Sequence, residues 1–179
     1  MARHVALLRA VNVGGHNKVP MADLRQLLET SGHTDVATYL QSGNAAFTSS
    51  KSNASALAKE IETDLATQMG VDVRVLVLSK SRLEKVVEQN PMVELDDDPT
   101  HLHVAFFSAI PISSAVKALD GAAFAPDRFA VAGDVAYLHF PDGMGRSTLD
   151  PGKAFAKLGV WFTVRNWRTV NQLVQLAAK

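Results

Sequence analysis

Cysteine is absent from this chain of 179 residues, which rules out disulfides, thiol nucleophiles and zinc sites built on thiolates. Long apolar runs are absent too, and none approaches the roughly 20 residues a helix needs to cross a bilayer. The N-terminus passes from one arginine directly into a strand-like run, without the apolar core and cleavage site of a secretory signal. These absences predict a cytoplasmic protein with no membrane role. Neither sign of charge is in excess, since 18 Lys and Arg face 18 Asp and Glu. Binding nucleic acid by bulk electrostatics needs many unbalanced cations, so a nucleic-acid partner is disfavoured and only a local basic patch stays open. Also missing are the spacings of a Walker A loop, a dinucleotide fingerprint, a Ser-His-Asp set, paired catalytic carboxylates and a nucleophile elbow. The residues therefore name no reaction and no cofactor.

Apolar residues make up 47% of the chain, an ordinary share for a packed protein that at this length buries about 70% of its unfolded surface. Their spacing outlines the elements. His4 to Arg9 reads as a covered strand. Pro20 suits a first helical turn, and Met21, Leu24, Leu27 and Leu28 repeat at helical spacing until Gly32. Val36 to Gln41 and Ala45 to Thr48 read as a hairpin joined by Ser42-Gly43-Asn44. Ser52 or Asn53 caps a helix whose stripe is Leu57, Ile61, Leu65 and Met69, closed by Gly70. Val73 to Leu78 is the next strand. Strand, helix, strand, strand, helix, strand is the split βαβ, or ferredoxin-like, order.

A further helix runs from a capping box at Ser81 and Glu84 to about Gln89. The acidic loop Glu94 to Pro99 marks the subdomain boundary. It divides residues 1–95, a ferredoxin-like half, from 96–179, a second α+β half with a C-terminal helix. That half reads as a strand (His101 to Ala109), a short helix (Ser113 to Leu119) and a hairpin (Arg128 to Ala132 and Val135 to Phe140). A helix around Lys153 to Leu158, a short extended piece (Val160 to Val164) and a last helix from about Asn166 to Ala178 follow. The expected fold class is α+β, two ferredoxin-like (split βαβ) halves packed into one compact unit.

A split βαβ unit sets its first and third strands side by side and antiparallel, so the end of one lies beside the start of the other. Two polar loops then share a rim. One is Arg9 to Pro20, where Gly14-Gly15 sits among Asn12, His16, Asn17 and Lys18; the other is Gln41-Ser42-Gly43-Asn44. Glycines beside such groups at a strand end can bring backbone N–H groups to an anion, and the Arg9 guanidinium fits a carboxylate or phosphate. The same residues equally serve an unliganded scaffold: glycines supply positive φ, asparagines satisfy their own backbone, and Arg9 pairs with an acid. Arg165-Asn166-Trp167 opens the last helix, with Asn166 as its N-cap, and a functional Arg165 would face the same rim as Arg9. Gly143 to Ser147 reads as a mobile surface connection. His101 and His103, after Asp96, Asp97 and Asp98, have a metal-like spacing that surface histidines share, and no metal site is assigned. His16 is the one histidine in the rim and the sole candidate for acid–base chemistry.

Three segments resemble a bacterial family of uncharacterised proteins, the domain-of-unknown-function family numbered 1697. They are LLRAVNVGGHNKVPM (Leu7 to Met21), YLQSGNAAF (Tyr39 to Phe47) and TVRNWRTVNQL (Thr163 to Leu173). The resemblance implies a compact α+β fold with ferredoxin-like halves. Its polar motif positions are Arg9, Asn12, Gly14, Gly15, Asn17, Gln41, Ser42, Gly43, Asn44, Arg165, Asn166 and Trp167. It implies no activity. Ala10-Val11-Asn12 stands where the family usually has Gly-Ile-Asn, His16 where a lysine is frequent, and Ser147-Thr148-Leu149 where it has Ser-Lys-Leu. Two cations are thereby lost, which weakens a phosphate-clamping version of the rim.

Two functional classes follow. In one, the rim binds a small polar or anionic ligand carrying phosphate or carboxylate, through Arg9, Asn12, Gly14, Gly15, Asn17, Lys18, Gln41, Ser42, Gly43, Asn44, Arg165 and Asn166. In the other, the chain is a nucleic-acid or protein interaction module without catalytic activity. Stacking of bases on a ferredoxin-like sheet needs exposed aromatics on its central strands; here the first strand carries none and the third only Phe47.

Overall fold

The computed structural model describes residues 1–179 and divides into two compact units, Met1–Lys85 with Asn171–Lys179, and Val86–Val170. The first contains β1 (Ala2–Leu8), α1 (Met21–Thr30), β2 (Thr34–Thr38), β3 (Asn44–Ser49), α2 (Ala54–Met69) and β4 (Val75–Ser79). Its antiparallel sheet has the order β2-β3-β1-β4. The chain passes into the second unit along α3 (Lys80–Glu88). There β5 (Leu102–Phe107), α4 (Ser113–Lys117), β6 (Arg128–Ala132), β7 (Val135–His139), α5 (Pro151–Ala154) and β8 (Phe162–Asn166) build a second antiparallel sheet, β6-β7-β5-β8. α6 (Trp167–Ala178) closes the chain. Both sheets carry the split βαβ order, so the α+β class read from the sequence holds in each half. The reading of Val160 to Val164 as a mere extended piece falls short. That region holds β8, which pairs with β5 from His103 opposite Asn166 to Phe107 opposite Phe162.

Burial explains the first unit. Val5, Ala6, Leu7 and Leu8 are all fully buried, so β1 is covered on both faces and reads as continuous apolar sequence. Ala6, Leu8, Ala45, Phe47, Val75 and Val77 form one apolar cluster with Leu24 and Leu28 of α1 and Leu57, Ile61 and Leu65 of α2. Helical spacing places those side chains on one stripe. Asn53, not Ser52, caps α2, its Oδ1 accepting the Ala56 N–H at 2.9 Å. At the far end Gly70 N–H reaches Ala66 O and Val71 N–H reaches Leu65 O, the paired bonds of a Schellman ending. The Arg3 guanidinium donates to Asp35 O at 2.7 Å and to Leu176 O at 2.9 Å, holding the last turn of α6.

The second unit solves the same problem with less helix. α4 has 5 residues and α5 has 4, against 10 in α1 and 16 in α2. Phenylalanines fill the space instead. Phe155 meets Phe107, Phe129 and Phe162 edge to face at 5.5, 5.6 and 5.7 Å between ring centres.

His4 and His33 both contact the Phe47 ring. Burial pushes both imidazoles down from their ordinary value; the Lys51 carbonyl partly offsets this at His4, and Glu60 does so at His33, where Lys51 acts with the burial. The unfolded chain then binds protons that the folded chain does not, so this stability is full above about pH 6.5 and falls as pH drops through that value. The urea midpoint is expected to decrease between about pH 7 and pH 5. A His4→Gln, His33→Gln double variant should show a shallower decrease, and an unaltered slope would place the titrating groups elsewhere.

Candidate functional site

Leu7 sits opposite Asn44, and the Leu8 N–H donates to Gly43 O at 2.8 Å. The two polar loops consequently meet, and the Asn12 side chain donates to Gln41 O at 2.7 Å. Arg9 lies one residue past the strand, exposed, with its N–H on Arg74 O at 2.9 Å. It is therefore not a buried charge in need of a cage.

Residues 12–17 form a miniature hairpin. Asn12 N–H bonds to Asn17 O and His16 N–H to Val13 O, each at 3.1 Å. Gly14 and Gly15 occupy its centre with φ of 59° and 79°. A two-residue turn of type I′ needs positive φ at both central positions, which accounts for the glycine pair. The asparagines are spent on backbone. Asn12 Oδ1 accepts the Val19 N–H at 2.9 Å while its Nδ2 donates to Val19 O at 2.8 Å as well as to Gln41 O. Asn17 Nδ2 donates to Ala10 O at 3.2 Å. Asn44 is buried and donates to Tyr39 O at 2.8 Å and Ser42 Oγ at 2.9 Å.

Arg9, His16 and Lys18 remain. All three are exposed, and none takes part in an ion pair or side-chain hydrogen bond. No acidic residue occurs in positions 1–22 or 36–59, so the two loops themselves carry no acid. His16 has no acceptor to orient its ring, which leaves it unlike an imidazole positioned for proton transfer. Two non-glycine residues bracket the region in the left-handed conformation, Ala10 at φ 52° and Leu40 at φ 56°. Each costs about 1–2 kcal/mol. Two apolar side chains are open to solvent here, Val13 at 65% and Leu40 at 54%.

Arg165 and Asn166 belong to the other unit, on β8. Arg165 is buried, donates to Thr163 Oγ1 at 2.7 Å and to Val164 O at 2.9 Å, and burial pushes its guanidinium down to about 10. Asn166 Oδ1 accepts the Arg168 N–H at 2.9 Å and so caps α6. Ser147, in the loop read as mobile, donates to Asp127 Oδ2 at 2.7 Å.

Sequence reasoning named Asp96 and His101 but missed His139, which joins them. Asp96 Oδ2 lies 2.8 Å from His101 Nδ1 and 3.1 Å from His139 Nε2. The Asp98 N–H and the two imidazoles hold the Asp96 carboxyl below the usual carboxylate range, and Asp96 in turn raises His101. His103 instead meets Phe140 edge-on at 5.3 Å, so the His101–His103 pair does not converge. No group of three His, Cys, Asp or Glu side chains is placed to hold a metal ion. The β5–β7 register, with Leu102 opposite His139, brings the second histidine in; alternation along β5 alone could not show it.

Two split βαβ halves in one chain, with a polar hairpin where β1 ends, define an α+β protein of doubled ferredoxin-like topology. The chain belongs to the family described as protein of unknown function, DUF1697, whose model matches residues 1–137. The Arg165-Asn166-Trp167 segment lies beyond that match. The chain is also similar to the conserved bacterial protein SP0830 from Streptococcus pneumoniae. The two are 26% identical with a TM-score of 0.73, over 98% of each chain. No curated protein matches it.

Proposed function

We propose that the rim binds a small ligand carrying phosphate or carboxylate, through Arg9 and Lys18, with His16 and Gln41 beside them. The observation that carries this reading is the set of exposed cations without acidic partners, in a stretch devoid of Asp and Glu. Asn12, Asn17 and Asn44 act as the scaffold that shapes the loops, and Gly14, Gly15 and Gly43 provide the turns. The exposed Val13 and Leu40 favour a second reading, an acidic protein partner gripping the same rim. A base-stacking RNA surface is not favoured, because Phe47 is fully buried in the helix-side core.

Thermal unfolding in the presence of pyrophosphate, sugar phosphates and citrate tests the proposal. A compound at about 100 times its dissociation constant adds about 2.7 kcal/mol, a rise of roughly 5–10 °C in a chain of this size. An Arg9→Ala, Lys18→Ala double variant removes exposed side chains without partners, so it should unfold within about 0.5 kcal/mol of the parent yet lose the rise. If no compound shifts the parent, or the variant shifts equally, the small-ligand reading fails.

A further inference from the structure

We infer that the second unit carries a separate binding site, for a small monoanion with an apolar body such as a medium-chain acyl carboxylate. The short helices of this half leave a cavity of about 420 Å³ between α4, the turn after it and α5, within the range of small-molecule sites. Its lining is apolar at Ala115, Leu119, Phe124 and Ala154 and charged at Asp120, Lys153 and Lys157. The alanines of its lining, Ala115 and Ala154 among them, are small and leave room.

The mouth is charged on one side. Lys153, in α5, and Lys157, beyond its end, both line it. Both are exposed and neither pairs with an acid. The one acid at the mouth, Asp120, has its Oδ1 taken by the Ala122 N–H at 3.1 Å. An apolar body against alanine and phenylalanine, with one carboxylate reaching the two lysines, matches the lining apart from Asp120. A nucleotide or sugar would set hydroxyl and amide groups against Leu119 and Phe124, where no side chain can bond them, at a cost of about 1–3 kcal/mol each. The site shares no residue with the rim of the first unit, so it stands or falls independently of the function proposed above.

Calorimetric titration of the full chain with decanoate, below its micelle concentration, tests the inference, with decanol and decylamine as neutral and cationic counterparts. Decanoate is expected to bind at least about tenfold more tightly than either, the factor that 1.4 kcal/mol supplies. A Lys153→Glu, Lys157→Glu double variant should lose about tenfold or more in affinity for decanoate. Ala123→Trp, which fills the cavity from an exposed position, should abolish binding while leaving the thermal midpoint of the free protein in place. The Arg9→Ala, Lys18→Ala variant should bind decanoate like the parent. Absence of decanoate binding, equal binding of decanol, or undiminished binding by Ala123→Trp overturns the assignment.

Discussion

Gly43→Ala is expected to destabilise the protein by about 2–5 kcal/mol, far more than the same change at Gly15. Both glycines have left-handed φ, 76° at Gly43 and 79° at Gly15, so both variants incur the steric cost of an L residue there, about 1–2 kcal/mol. Their surroundings differ. A Cβ on Gly15 meets nothing within 4 Å, whereas one on Gly43 falls 2.5 Å from Val11 Cγ2 and 2.7 Å from Leu8 Cβ. Leu8 Cβ is fixed to β1 and cannot retreat without moving the strand, and overpacking of this kind adds about 1–3 kcal/mol. Because Gly43 O also receives the Leu8 N–H, the shift would pull β3 from the end of β1 and unseat the loop junction. Thermal melts of the two variants, at roughly 2–4 °C per kcal/mol, separate crowding from strain. Equal losses at both positions would show that close approach at Gly43 contributes nothing.

Phe155→Ala is expected to cost about 3–5 kcal/mol, the usual range for emptying a buried phenylalanine site. Phe155 is 1% exposed and contacts three other phenylalanine rings edge to face. Pairs of that geometry contribute about 0.5–1.5 kcal/mol each beyond their buried area. Short helices cannot fold down over the gap, because α5 ends at Ala154, the residue before it. Phe155→Leu, which restores most of the volume and none of the ring contacts, should recover part of the loss. A loss for Phe155→Ala below about 1 kcal/mol would mean that the neighbouring rings close the hole.

Much of the architecture is legible in the sequence because helical stripes and turn residues are local signals. Met21, Leu24, Leu27 and Leu28 announce α1, and Gly43 between two apolar alternations announces the β2–β3 hairpin. β8 is hard to read for a physical reason. It is five residues long, alternates half-buried and buried positions, and runs directly into α6, so neither a turn nor a cap separates the two. The rim was legible as a meeting of loops, since that follows from topology. What its asparagines do was not, because Asn12 reaches Gln41 O across 29 residues of chain. Nor was Leu40 readable as left-handed backbone, a conformation that sequence signals mainly through glycine and asparagine.

The Arg3 contact with Leu176 O has a consequence for biosynthesis. The first unit draws on residues 1–85 and 171–179, so its contiguous part leaves the ribosome long before the segment that completes it. At synthesis rates of about 5–20 residues per second, the wait for those final residues lasts several seconds or more. Throughout that interval Arg3 has no carbonyl of the last helix to hold. A nascent chain stalled before residue 171 would present an early half lacking its final segment, a state in which chaperones and proteases have their first opportunity to act.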